Sequence, residues 1–155
     1  MSEAQSFLTR EKFSELQQEL DYLKTTRRKE IAENLEYTRS LGDLSENAEY
    51  QEAREMQAAT EERIQRLEVI LKSAKIVAYK KSDTVGLGSS VVIQKEGEKE
   101  MHRYHLVGSE EADMREKKIS YLSPLGEALM GKKKDDSFTF TTPNGKMKYS
   151  IVLVE

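Results

Sequence analysis

Two carboxylates near the middle of the chain have the type and spacing that could bind a metal ion. Asp43 and Glu46 lie three positions apart and follow Gly42, which suits the left-handed conformation that ends many helices. Magnesium prefers hard oxygen ligands and is commonly held by one or two carboxylates together with water and phosphate. The same spacing is typical of a helix start, in which Asp43 would cap the helix and Glu46 would reach back to the amide of that cap. Spacing alone favours the capping role, and both interpretations stay open at this point.

The sequence around this pair is strongly acidic. Between Glu30 and Glu55 it carries eight acidic residues and only two basic ones, Arg39 and Arg54. Such a segment repels acidic partners and attracts metal ions or basic surfaces. The formal net charge of -3 also argues against a protein whose main role is to coat nucleic acid, because phosphate neutralisation needs an excess of Lys and Arg.

Two long helices that meet near Gly42 are predicted to carry the pair. From Thr9 to Lys75 there is no other glycine and no proline, which favours helix throughout. Apolar residues in both halves step by three and four, the spacing of a heptad seam. If the chain folds back at Gly42, the residue numbers of each facing pair should add up to a nearly constant sum. This index sum is 87 for Phe13–Ala74, Leu16–Leu71, Leu20–Leu67 and Leu23–Ile64. The matching seams predict an antiparallel hairpin with a stutter in the middle of its first arm, after which Ile31 and Leu35 resume the stripe.

After Lys75 the pattern changes to the short runs and period of two that are typical of strands. Ser123, Pro124 and Gly131 bracket one short helix, and the segment 142–145 is a hairpin turn signal. We predict an α+β chain, with a coiled-coil hairpin over residues 1–77 and a mostly antiparallel sheet crossed by one short helix over residues 78–155. The predicted strands are Ile76–Tyr79, Ser90–Lys95, Met101–Val107, Ile119–Leu122, Ser137–Thr141 and Lys148–Val154.

Several classes of protein are excluded or disfavoured by composition. The chain has no cysteine, so a disulfide framework is excluded. No run approaches the roughly 18 apolar residues that a membrane span needs, and the opening residues lack the layout of a signal peptide. We therefore expect a cytoplasmic protein. No Ser–His–Asp set or glycine-rich phosphate loop appears, so an independent enzyme has little support.

The residues around the carboxylates resemble a known family. The run from Gly42 to Tyr50, followed by Ala53 and Arg54, is similar to the tip signature of the bacterial Gre transcript-cleavage factors, in particular the GreA type. The similarity continues through the second half and covers essentially the whole chain in the expected order. Its further matching positions are Tyr104, Val107, Gly108, Glu111, Ala112, Asp113, Ile119, Ser120, Ser123, Pro124, Ala128, Leu129, Gly131, Lys132, Pro143 and Gly145.

The resemblance implies both a fold and a function. The fold would be a coiled-coil hairpin followed by a domain similar to FK506-binding proteins. The protein would bind bacterial RNA polymerase as a monomer and insert its hairpin through the secondary channel. There it would stimulate the polymerase's own hydrolysis of the 3′ end of backtracked nascent RNA, as an accessory factor and not as an enzyme.

Roles for individual residues follow from the same resemblance. Asp43 and Glu46 would deliver a magnesium ion and its water, with the ion held jointly with the polymerase and not by the free protein. Arg39 and Arg54 would face the RNA, and ordinary surface pairing with Glu36 or Glu55 is the alternative. Docking on the polymerase would use a face that includes Ser120, Ser123, Pro124 and Gly131.

Two other functions stay open. A Gre-like inhibitor would use the same docking but block nucleotide addition without cleavage; such relatives tend to have a more acidic tip. The C-terminal domain could instead be a peptidyl-prolyl isomerase, although it has no Trp and its Phe residues are predicted to lie in the core.

Overall fold

A computed structural model describes residues 5–43 and 47–155 of the chain. Contacts divide them into two units, residues 11–74 and residues 5–10 together with 75–155. The first unit is an antiparallel pair of helices. Its first arm contains α1 (Arg10–Tyr22), a π-helical turn (Leu23–Arg27) and α2 (Arg28–Arg39), and its second arm is α3 (Ala48–Ser73). The predicted hairpin is confirmed.

The π-helical turn explains how the predicted stutter is accommodated. Leu16, Ile31 and Thr38 are the buried residues of the first arm. Leu16 and Ile31 are separated by 15 positions, one more than two heptads. A π turn takes up one additional residue, so both side chains face α3 despite the extra position. Thr38 follows Ile31 by one further heptad and continues the same face.

Ion pairs on the two sides of the seam agree with the predicted register. Glu19 accepts two hydrogen bonds from Arg63, at 2.7 and 3.0 Å, and Lys24 donates to Glu68 at 2.8 Å. The index sums of these pairs are 82 and 92. They lie symmetrically about the predicted 87, as expected for pairs that flank the seam on its two sides. Hydrogen bonding from Arg63 holds the pKa of Glu19 below its usual value. Ile70 is more deeply buried than the predicted seam residue Leu71, which is half-buried.

The second unit is built on a five-stranded sheet with the order β5-β4-β3-β7-β6. Its strands are β3 (Ser90–Lys95), β4 (Met101–Val107), β5 (Lys118–Ser120), β6 (Ser137–Thr142) and β7 (Gly145–Val154). All neighbouring pairs are antiparallel except β4 and β5, which are parallel. One short helix, α4 (Pro124–Leu129), begins at the predicted cap Ser123 and packs against β5 and β6. The predicted class of helical hairpin plus curled sheet is confirmed.

The core of this unit lies on one face of the sheet, where α4 covers it. Leu106, Leu129 and Ile151 are almost fully buried, and Phe138 stacks on Tyr149 with ring centroids 5.6 Å apart. The other buried members of this core are Val85, Val91, Ile93 and Ile119. The alternation of these residues along their strands is the reason that one face of the sheet is apolar.

The main difference from the predicted strands is a small second sheet. It pairs β1 (Ser6–Leu8), which was not predicted, with β2 (Ala74–Ile76), which is shifted from the predicted strand 76–79. The Phe7 ring packs edge-on against Tyr121, and the buried Glu111 carboxylate accepts a hydrogen bond from the Thr9 amide. Strand β1 therefore forms because of contacts with residues distant in the sequence. With three residues, it is too short to show the period of two that identifies a strand.

No helix in the described part of the chain combines the length and the apolar character needed to cross a membrane.

Candidate functional site at the hairpin tip

The first arm ends in a short turn before Asp43. The Ser40 amide donates to the Tyr37 carbonyl at 3.1 Å, and the Leu41 amide donates to the Thr38 carbonyl at 3.2 Å. Gly42 then has a φ of +147°, which residues with a side chain rarely adopt. The sequence prediction that Gly42 ends the first arm is confirmed, and Asp43 follows it in an exposed position.

The second arm does not begin with the predicted cap. Helix α3 starts at Ala48, and its N-cap is Asn47, whose Oδ1 accepts a hydrogen bond from the Tyr50 amide at 3.0 Å. Of the two interpretations that spacing left open, the one in which Asp43 caps this helix is therefore wrong. Asn has the same cap preference as Asp and lies next to the helical run, so it satisfies the free amide directly. Glu46, the other half of the predicted capping box, lies outside the described residues.

Asn47 also connects the two arms. Its Nδ2 donates to the backbone carbonyl of Thr38 at 2.5 Å, near the end of α2, while its Oδ1 caps α3. The acceptor side of this bridge is rigid, because Thr38 is only 3% exposed and its hydroxyl donates to the Asn34 carbonyl at 2.8 Å. One carboxamide thus satisfies an acceptor at the end of one helix and a donor at the start of the other.

The two arginines that were predicted to face RNA come together at Tyr50. The Arg39 guanidinium lies over the Tyr50 ring, 6.0 Å from its centroid, although the two residues belong to different arms. Hydrogen bonding from Arg39, and secondly from Arg54, lowers the pKa of the Tyr50 hydroxyl below its ordinary value. The alternative was surface pairing with Glu36 or Glu55. Within residues 5–43 and 47–155, no carboxylate lies within 4.0 Å of either guanidinium.

The tip supplies oxygen ligands but no complete metal site in the part that the structure describes. Over residues 5–43 and 47–155, no group of three or more His, Asp or Glu side chains is arranged to hold an ion. The Asp43 carboxylate is a hard ligand on an exposed turn, which suits shared coordination of magnesium.

Three of the four predicted docking residues surround an apolar pocket in the second unit. Ser120, Ser123 and Pro124 line this pocket of about 420 Å³. Its other walls are Tyr104, Ala112, Asp113, Met114, Lys118, Ile119, Leu125 and Phe140. Burial raises the pKa of the Tyr104 hydroxyl. The fourth residue, Gly131, is not part of the pocket wall; it has a φ of +79° and donates its amide to the Val85 carbonyl at 2.9 Å.

Comparison with known proteins accounts for both units. The family model described as "Transcription elongation factor, N-terminal" matches residues 6–76, and the one described as "Transcription elongation factor, GreA/GreB, C-term" matches residues 80–155. The chain belongs to the GreA/GreB family of transcription elongation factors. The resemblance noted in the sequence is thus confirmed.

Relatives from this family match the chain from end to end. Transcription elongation factor GreA of Bacillus subtilis (strain 168) is 45% identical over 148 residues, 95% of this chain and 94% of the relative. GreA of Clostridium botulinum (strain Langeland) is 46% identical over 157 residues, covering 99% and 98% of the two chains. Among solved structures, GreA factor homolog 1 (Gfh1) of Thermus thermophilus is 29% identical, with 97% and 99% of the chains covered and a TM-score of 0.45.

Asn47 and Tyr50 are members of the tip that the functional interpretation of the sequence did not assign a role. A signal for Asn47 was present, because Asn directly before a helical run is a common N-cap. No local signal predicted the contact between Tyr50 and Arg39, since the two residues lie on different arms.

Proposed function

We propose that this protein binds bacterial RNA polymerase and stimulates cleavage of backtracked nascent RNA by the polymerase's own active site. One copy would enter the secondary channel with the hairpin tip and reach the RNA 3′ end. The observation that carries the proposal is the tip: Asp43 is exposed directly after Gly42 at the end of the first arm, and Glu46 directly precedes Asn47, the N-cap of the second arm, in the sequence. Membership of a family of transcription elongation factors supports it.

Asp43 and Glu46 are the residues that would hold magnesium together with ligands from the polymerase. The chemistry that bound magnesium supplies is stabilisation of charge on the attacking and leaving oxygens of phosphodiester hydrolysis. The contribution of this chain is to carry both carboxylates in the short segment between its two helical arms, with Asp43 on the exposed turn that follows Gly42. Two carboxylates hold magnesium poorly without further ligands, so the free factor would leave RNA intact.

Arg39 and Arg54 would contact the RNA near the carboxylates. The Arg39 guanidinium lies over the Tyr50 ring, and both guanidiniums lower the pKa of the Tyr50 hydroxyl. Neither has a carboxylate within 4.0 Å among the described residues, so their charge is available to a phosphate. Phosphate contacts of this kind position a nucleic acid without reading its sequence.

Docking would use the face around the apolar pocket. Ser120, Ser123 and Pro124 line it together with the exposed Met114, and Leu122, which lies between Ser120 and Ser123 in the sequence, is also an exposed apolar side chain. Burial of such surface against a partner is favourable, at about 25 cal/mol for each Å² removed from water. Gly131 would contribute through the turn that follows α4.

The deciding experiment adds the protein to backtracked polymerase complexes with magnesium and follows the length of the RNA. The unmodified protein should shorten the RNA from its 3′ end, and Asp43→Asn and Glu46→Gln should abolish this while still competing with the unmodified protein for polymerase. Glu33→Gln, which removes an exposed acid from the body of α2, is the matched control and should cleave normally. Full cleavage by both tip variants would refute the proposed role of the tip.

The same experiment separates the alternatives. Slower nucleotide addition without shortened RNA would identify an inhibitor. Cleavage of RNA by the factor without polymerase would contradict its accessory role. Turnover of a proline-containing peptide by the full-length protein would support the isomerase function.

A further inference from the structure

The carboxamide of Asn47 links the ends of both arms at the tip. Its Nδ2 donates to the Thr38 carbonyl at 2.5 Å, and its Oδ1 accepts from the Tyr50 amide at 3.0 Å. Asn can act as donor and acceptor at once, and both functions are used here. The carboxylate of Asp could only accept, and the hydroxyl of Ser is too short to span the two helices.

We propose that Asn47 is the positioning residue of the tip, which holds the two helix ends together so that the intervening carboxylates are presented in one place. This inference rests on the proposed function. In the chain Asp43 precedes the bridge by four positions and Glu46 by one. Because consecutive Cα atoms are about 3.8 Å apart, an anchor at Asn47 limits where these neighbours can lie.

The surroundings of Asn47 make the bridge effective. On the acceptor side, Thr38 is held in the seam by burial and by its own hydroxyl, which donates to the Asn34 carbonyl. On the donor side, Tyr50 is buried in the seam and contacted by Arg39 from the opposite arm. Each partner of the carboxamide is therefore fixed independently of it. Loss of the bridge should therefore leave the pairing of the two arms intact.

Catalytic groups need this kind of support, because displacement of about 1 Å can lower a rate roughly a hundredfold. Asn47 itself has no ionisable group. Its effect should therefore appear in the maximal rate of cleavage and not in the affinity for polymerase, which the proposal assigns to the second unit. A lower maximal rate with an unchanged affinity for polymerase therefore distinguishes a positioning role from a general loss of structure.

The test compares Asn47→Ser and Asn47→Asp with the unmodified protein on backtracked complexes. Ser and Asp are as good as Asn at a helix N-cap, so both variants keep the start of α3 and lose only the donor to Thr38. Amide exchange at Tyr50 checks that the cap is retained. Ser is neutral, which removes the added charge of Asp as an explanation. Ser40→Ala is the matched control, because the Ser40 hydroxyl donates to the Tyr37 carbonyl of its own arm.

We expect both Asn47 variants to lower the maximal cleavage rate by roughly ten- to a hundredfold while the half-saturating factor concentration stays unchanged. Ser40→Ala should match the unmodified protein. A full maximal rate for either Asn47 variant, or a change in half-saturation alone, would overturn the inference. Absence of cleavage with the unmodified protein would instead refute the proposed function, and with it the role assigned to Asn47.

Discussion

Replacement of Gly126 by alanine should destabilise the second unit through a backbone clash. An added Cβ would lie 2.0 Å from the Ser120 carbonyl oxygen and 2.9 Å from the Tyr121 Cα. Ordinary van der Waals contact begins at 3.4 Å, so the Cβ and the oxygen must separate by the difference of 1.4 Å. Neither atom lies at the end of a flexible side chain, so α4 or the end of β5 has to move.

The cost follows from the contacts that this movement strains. The Ser120 carbonyl also accepts from the Ser123 hydroxyl at 2.6 Å, and that hydroxyl accepts from the Gly126 amide at 3.1 Å. Overpacking of a buried site costs about 1–3 kcal/mol. Alanine recovers about 0.5–1 kcal/mol through its higher helix propensity. A net loss on the order of 1 kcal/mol in the free energy of unfolding is therefore expected.

Urea unfolding followed by NMR amide signals from β3 to β7 would measure this loss in the second unit alone. Gly86→Ala is the matched control, because no atom lies within 4 Å of its added Cβ and its φ is one that alanine can adopt. The control should change the free energy of unfolding by less than about 0.5 kcal/mol. If Gly126→Ala is as stable as this control, the reasoning from the clash is refuted. Weaker polymerase binding by Gly126→Ala alone would further support the docking face.

Three shorter predictions concern the hairpin. The pKa of Tyr50, measured as the difference in absorbance at 295 nm between the protein and Tyr50→Phe, should lie below the value of free tyrosine, and Arg39→Gln should raise it again. An unchanged titration in Arg39→Gln would contradict the contact with Arg39. Leu67→Ala should lower the unfolding free energy of the hairpin by about 2–5 kcal/mol, because Leu67 is 0% exposed. Val69→Ala, at a position that is 56% exposed, should have little effect. Equal losses of unfolding free energy in the two variants, measured by circular dichroism in urea, would contradict this prediction. Because the pKa of Glu19 is lowered from 4.5, its ion pair with Arg63 stabilises the hairpin fully above that pH, and the stabilisation is lost as pH falls through the lowered pKa. Glu19→Gln should therefore make the temperature of thermal unfolding less sensitive to acid. The same pH dependence in Glu19→Gln and the unmodified protein would exclude this contribution.

Much of the fold follows from local patterns in the sequence. The helices on either side of Gly42, the hairpin turn at 142–145 and the cap of α4 at Ser123 all appear where their residue types predict them. Each of these features depends on interactions between residues a few positions apart, so a local sequence pattern is enough to predict it. The heptad seams also predict the register of the hairpin, since two long stripes can match in only a few ways.

The strand β1 and the pocket could not be predicted in this way. Ser6–Leu8 is a strand because of its pairing with β2 and its contacts with Tyr121 and Glu111, more than 100 positions away in the chain. The pocket collects residues from several strands and from α4. Both depend on which distant segments meet, and a local pattern contains no such information.

At the tip, the sequence by itself determined that Asp43 and Glu46 follow the break between two helices, and the family resemblance supplied their expected role. Only the tertiary structure decided that Asn47 caps α3 in place of Asp43 and that Arg39 of the first arm lies over the Tyr50 ring of the second. The physical reason is that Asp and Asn are equally good caps, so spacing cannot choose between them. Asn47 is selected because its carboxamide also reaches the Thr38 carbonyl on the other arm, a contact that exists only once the hairpin has closed.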